Sequence, residues 1–190
     1  MTNNISFQGT YRAITKAEFG RKTINLPRGC NVRYPWTTKE SVRATKAYTT
    51  GTIDCSVLGI SNGQDVFLMH LCPTNPKNSN FKQIKNFILE HIDRESKYLE
   101  AALFGSQDYS AKSQKLNKNL LDLMKSLGIP CSIFKCASDE FDVAYSSIED
   151  EWCVSSDAID YLLNEKKVSS KDALQTTFKE IRLSHVDELA

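Results

Sequence analysis

Beyond about residue 46 the apolar positions fall into short runs and helical stripes. Ile53-Asp-Cys-Ser-Val-Leu-Gly-Ile60 and Val66-Phe-Leu-Met-His-Leu-Cys72 are short and apolar, with Ser61-Asn62-Gly63 between them. Two such runs joined by Asn-Gly predict a β-hairpin. The stretch from Pro73 to Asn80 reads as a loop. Phe81, Ile84, Phe87, Ile88, His91 and Ile92 recur at helical spacing, and Leu116, Leu120, Leu121, Leu123, Met124 and Leu127 define a second helix. That helix is expected to stop at Gly128, with Pro130 just beyond. Between the helices, Tyr98 to Phe104 reads as a strand closed by Gly105 and Ser106. Three short strands are expected at 131–136, 141–145 and 151–154, and a short helix at 158–163. The segment 166–190 is polar and reads as a terminal helix or tail. The order β-β-α-β-α-β-β-β predicts an α+β protein with a mixed sheet covered by two helices.

The first 45 residues break this rhythm. Gly9, Gly20, Pro27, Gly29 and Pro35 punctuate an irregular segment, yet Phe7, Tyr11, Phe19, Tyr34 and Trp36 are scattered through it. A disordered tail carries few aromatics, so this segment is expected to be an arm packed on the body. Charge sets it apart as well. The net charge of the 190-residue chain is only +1. Residues 1–50, however, hold nine Lys/Arg against two Asp/Glu, a balance of +7, and the remainder carries −6. A basic front on an acidic body marks an interaction surface. Nucleic acid is the obvious partner for Arg12, Lys16, Arg21, Lys22, Arg28, Arg33, Lys39, Arg43 and Lys46, but no binding motif accompanies them and the pI is only 7.6. An acidic protein is the better fit.

No stretch reaches the roughly 18 apolar residues of a membrane helix. The start, Met1 to Gln8, has no apolar segment of the secretory kind, so cytoplasmic residence where the protein is made is the default. In that setting the six cysteines Cys30, Cys55, Cys72, Cys131, Cys136 and Cys153 read mainly as reduced, buried thiols. Cys131 and Cys136 lack a second Cys pair or a nearby His, so neither zinc nor any other cofactor is expected.

The candidate chemistry is one Cys and one His. Cys55 opens the first strand of the expected hairpin and His70 lies in the second. Folding about residue 62.5 brings them to adjacent strands, with the register good to about two residues. A thiol beside an imidazole is the minimum for an activated nucleophile. Strand alternation is expected to turn Asp54 away from Cys55. His91 reads as a packed core or boundary residue, and His185 as solvated.

The stretch Thr49-Thr-Gly-Thr-Ile-Asp-Cys55 resembles the nucleophile segment of the chemoreceptor glutamine deamidases (CheD), with Thr49, Gly51 and Cys55 on that family's frame. Met69-His70-Leu71-Cys72-Pro73 is similar to the family's His-containing strand. Ala101 to Ser106 resembles its Phe-Gly-Gly strand, and Asn117 to Pro130 its helix running into Gly-Ile. These four pieces span residues 45–155 in the family's order. The same Thr, Cys and His arrangement occurs in cytotoxic necrotizing factor-like toxins. Ile53 and Asp54 replace the family's Gly and Ser before the Cys, and Ser106 replaces its second Gly. Phe134 to Asp139 stands where the family has a Gly-rich segment, and these departures resemble a diverged effector or toxin.

The resemblance implies a β-sandwich-like core of mixed and antiparallel sheets, with two amphipathic helices packed on one side. It divides the chain into a basic arm at 1–45, a deamidase core at 46–165 and a polar end at 166–190. It implies a monomeric protein-glutamine deamidase with Cys55 as nucleophile, His70 as base and Thr49 orienting His70, acting on a protein substrate. An effector of this kind would be exported by a specialised system. The same dyad also serves transglutaminases and cysteine proteases, and a non-catalytic binding module using the basic arm is the remaining alternative.

Overall fold

The computed structural model describes residues 10–26, 42–44, 46–71, 73, 78–106, 111–136 and 140–183. Among them the fold is α+β, with five helices and two mixed sheets. The first sheet contains β1 (Thr10–Ala13), β3 (Lys46–Thr52), β8 (Phe141–Ser146) and β9 (Glu151–Ser156), in the order β1-β9-β8-β3. The second contains β2 (Val42–Ala44), β4 (Ser56–Ser61), β5 (Val66–Leu71), β6 (Glu100–Ser106), β7 (Cys131–Cys136) and β10 (Phe178–Leu183). Its order is β10-β7-β6-β4-β5-β2.

Continuous apolar runs explain why the six-stranded sheet lies in the middle. Every residue of β4 and β5 is buried, as expected when a strand is covered on both faces. On one face, Leu58, Ile60, Phe67, Met69 and Leu71 pack with Ile84, Phe87 and Ile88 of α2 (Asn78–His91) and Leu116, Leu120 and Met124 of α3 (Ala111–Leu127). On the other, Val57, Val66, Leu68, Phe104 and Phe134 meet Ala47, Phe141, Val143, Tyr145, Trp152 and Val154 of the four-stranded sheet. The alternation along β4 and β5 thus serves two cores, one toward helices and one toward the second sheet. Parallel pairing of β6 with β7 needs a crossover, which α3 provides. The helix ends as its Gly-Ile-Pro predicts: Gly128 N–H bonds the Lys125 carbonyl and Ile129 N–H bonds that of Met124, the paired contacts of a glycine-terminated helix.

Two expectations change. Segment 10–26 is not irregular. β1 pairs in parallel with β9, and α1 (Lys16–Thr23) starts at Thr15, whose hydroxyl accepts the Glu18 N–H. Ile14 and Phe19 are buried. The segment after 166 is neither a helix alone nor a tail: α5 (Ser170–Thr177) follows α4 (Asp157–Asn164) and leads directly into β10, which pairs with β7 along six residues. Lys179, Glu180 and Arg182 obscure the strand in the sequence, and Phe178 at its start is buried.

Three cations of the basic front, Arg12, Lys16 and Lys22, pair with carboxylates of the chain. Lys22 Nζ lies 3.1 Å from both Glu149 and Glu151, Arg12 reaches Glu18 at 2.9 Å and Glu151 at 3.7 Å, and Lys16 reaches Asp157 at 2.6 Å. Part of the charge asymmetry along the chain is therefore complementarity between its two parts. Arg28, Arg33 and Lys39 lie outside the described residues. None of the described helices is long and apolar enough to cross a membrane.

Two outcomes follow for stability. Deleting residues 1–44 removes β1, α1 and β2 together, so the truncated chain should show no cooperative thermal unfolding. Gly59 of β4 lies against the Trp152 indole, where an added Cβ would come within 2.1 Å of Cη2. Gly59→Ala should therefore cost roughly 1–3 kcal/mol in chemical denaturation, through overpacking between the sheets.

Candidate active site

The chain leaves one sheet and enters the other between Thr49 and Ser56, and the candidate residues sit at this corner. β3 is an edge strand paired with β8, and its register slips between Thr49 and Thr52. Gly51 occupies the slip with φ +72°, a left-handed conformation suited to glycine. Its N–H donates to Asp142 Oδ1 at 3.0 Å. Burial pushes the Asp142 carboxyl above the usual carboxylate range, and the Gly51 N–H and Lys16 offset only part of that. After Thr52 the chain bends through Ile53 and Asp54, and β4 begins at Ser56 rather than at Ile53.

Thr49 and His70 are brought together across the two sheets. Thr49 Oγ1 lies 2.8 Å from His70 Nδ1, and both side chains are buried, at 0% and 6% exposure. His70 occupies the β5 face shared by Val66 and Leu68, which looks into the inter-sheet core. The bond therefore spans the sandwich. It gives each buried polar group a partner and fixes the imidazole ring.

The hairpin folds about residue 63.5 rather than 62.5, which moves the partner of His70 by two residues. Asn62 Oδ1 accepts the N–H groups of Gln64 and Asp65, so the turn takes four residues and Val57 stands opposite His70. Cys55, two residues before Val57, falls diagonally across from His70 when the ladder is continued. Such diagonals place Cβ atoms about 7–8 Å apart, within side-chain reach. Cys55 is 8% exposed. The expectation for Asp54 is overturned. Its Oδ1 lies 3.7 Å from Cys55 Sγ and accepts from the thiol. Alternation does not hold here because Ile53 and Asp54 form a bend rather than a strand.

Cys131 and Cys153 are poorer nucleophile candidates. Burial pushes the Cys131 thiol up to about 12. Cys153 is also raised to about 12, by burial and by its hydrogen bond to Glu151. Both stay protonated at neutral pH, and a protonated thiol is a weak nucleophile. Cys30 and Cys72 lie outside the described residues. His91 is not packed in the core: it is exposed at the end of α2, stacked on Phe87 at 4.4 Å. His185 lies outside the described residues. No group of three His, Cys, Asp or Glu able to hold a metal occurs among the described residues.

Two residues not picked out from the sequence reach this corner from α3. Ser113 Oγ donates to the Asp54 carbonyl at 2.8 Å, and Asn117 Oδ1 accepts from Ser56 Oγ. Their signal is a buried serine on the apolar stripe of Leu116, Leu120, Leu123 and Met124. Compared with known proteins, the chain matches no family model and no curated protein.

The Asp142 contact yields a pH prediction. A carboxyl raised in the folded state destabilises the fold above its folded pKa, and the penalty is relieved as pH falls through it. Asp142→Asn keeps an acceptor for Gly51 and removes the charge. At pH 7 this variant should be at least as stable as the parent, and its advantage should shrink on acidification. Asp142→Ala, which loses the acceptor, should be less stable than the Asn variant by about 1 kcal/mol. Urea denaturation at pH 7 and pH 4 reads both differences.

Proposed function

We propose that this protein is a protein-glutamine deamidase acting through Cys55, His70 and Thr49. The observation that carries this reading is the buried Thr49–His70 hydrogen bond across the two sheets, made at the corner where Cys55 immediately precedes β4. It puts a threonine hydroxyl on the imidazole in the order Thr, Cys, His of the glutamine deamidase resemblance. The two sheets with α2 and α3 on one outer face also suit a CheD-like core.

In the reaction, His70 Nδ1–H donates to Thr49 Oγ1, which leaves Nε2 as the base. The resting thiol turns from Asp54 toward His70 and gives its proton to Nε2. The thiolate attacks the carboxamide carbon, and the negative carbonyl oxygen is met by the Cys55 backbone N–H. The C–N bond breaks, and ammonia leaves with the proton from His70. Water then attacks the thioester and gives a proton to His70. The C–S bond breaks, releasing glutamate, and the proton returns to Cys55 sulfur. The net change is glutamine plus water to glutamate plus ammonia.

Ile53, two residues before the nucleophile, is 45% exposed and offers an apolar contact to a protein substrate. The preference for an acidic partner rests on the +7 balance of residues 1–50. A host protein is the class of target we favour, reached by export of the chain through a specialised system.

The test is mass spectrometry of candidate host proteins co-expressed with the wild type or with Cys55→Ala. A glutamine-to-glutamate mass change is expected with the wild type and absent with the variant. His70→Ala should lower the rate about 10²–10⁴-fold. Thr49→Val should lower it roughly ten- to hundredfold, the loss of one buried hydrogen bond. Crosslinks to lysine would indicate transglutamination, fragments would indicate proteolysis, and full activity in Cys55→Ser would overturn the nucleophile assignment.

A further inference from the structure

We propose that Ser113 and Asn117 of α3 are positioning residues that set the direction of the Cys55 backbone N–H and thiol. The inference rests on Cys55 being the nucleophile. It goes beyond that assignment by naming the element that aims it.

Ser113 and Asn117 are four residues apart, so they share one face of the helix. They grip the chain on either side of Cys55. Ser113, fully buried, donates to the carbonyl of Asp54 at 2.8 Å. Asn117 Oδ1 accepts from the hydroxyl of Ser56, also fully buried. A third element makes room for this contact. Gly105 of β6 stands opposite Ser56 in the ladder. A Cβ there would come within 2.6 Å of both Asn117 Oδ1 and Nδ2. The carboxamide therefore occupies the space that the missing side chain leaves, and a larger residue at 105 would displace it. Helix, strand and glycine meet on the residues that flank one thiol.

The consequence comes from peptide geometry. The Asp54 carbonyl and the Cys55 N–H belong to one planar, trans peptide, so they point in opposite directions. Ser113 holds the carbonyl toward α3, which packs on the outer face of the six-stranded sheet. The Cys55 N–H is thereby directed away from α3. His70 looks the same way, into the inter-sheet side, where Thr49 meets it. One hydrogen bond on the helix side thus aims the donor proposed for the oxyanion. The same peptide plane sets how the Asp54 carboxylate lies against Sγ, 3.7 Å away. Ser113 acts through the Asp54 backbone carbonyl, and Asn117 through the Ser56 hydroxyl.

The test needs one readout that does not require a substrate. The pH profile of Cys55 alkylation by iodoacetamide, followed by site-resolved mass spectrometry, reports the thiol directly. Ser113→Ala and Ser56→Ala each remove one hydroxyl from the clamp, from the helix side and the strand side. Both should shift that profile, while Ser113→Thr, which keeps the hydroxyl, should restore it. Ser126→Ala, whose hydroxyl bonds the Leu123 carbonyl at the far end of the same helix, should leave it unchanged. On a glutamine substrate, Ser113→Ala should lower kcat about ten- to hundredfold with KM within about twofold, because the aimed donor acts in the transition state. Circular dichroism confirms that each variant is folded. Wild-type alkylation profiles in folded Ser113→Ala and Ser56→Ala would overturn the proposal. Absence of deamidation by the wild type would overturn the reaction assigned above and leave the alkylation comparison to decide the role of the clamp.

Discussion

One short corner of the chain, from Thr49 to Ser56, belongs to both sheets, and the arrangement around it follows from that constraint. An edge strand must stop pairing with β8, reverse its lean and start pairing with β5 and β6 within a few residues. A register slip at Gly51 and a bend at Ile53 and Asp54 accomplish the turn. Backbone groups released by the turn need partners, and Asp142 and Ser113 supply them from opposite sides. The polar groups buried here are thus first a solution to a folding problem. The same solution holds a thiol, an imidazole and a hydroxyl in one small region, which is what nucleophilic chemistry requires.

Elements built from local periodicity were readable from the sequence. The hairpin, both helices of the outer layer and the strands at 100–106 and 131–156 stand close to where their apolar patterns put them. Elements whose stability comes from distant partners were not. β1 is four residues long and pairs in parallel with β9, so nothing near it in sequence reveals it. Its following helix did carry a local mark, the Thr15-x-x-Glu18 pattern of a helix start, obscured by the surrounding glycines and prolines. β3 is hidden because Lys46 to Thr52 is mostly polar, and β10 because Lys179, Glu180 and Arg182 break its apolar pattern.

The candidate site divides the same way. Thr49, Cys55 and His70 could be picked out through the spacing of the family frame, and the Thr49–His70 contact is present. The direction of Asp54 could not, because a bend breaks the period of two on which strand reasoning depends. Ser113 and Asn117 could not either. Their partners are Asp54 and Ser56, far along the chain, and only packing of α3 against β4 and β6 joins them.

The pairing of β1 with β9 also bears on how the chain comes to be folded. Thr10 bonds the Asp150 carbonyl across 140 residues of sequence. During synthesis β1 waits for its neighbour until residues 151–154 have been made. Sheets closed by such distant contacts assemble slowly, since chain entropy must be surrendered before the contact is won. The last strand of the other sheet, β10, is later still. Neither sheet is complete until β9 and β10 have been made, so the nascent chain passes a long interval without its full inter-sheet core. A molecule built this way stays open to chaperone capture until those strands have emerged.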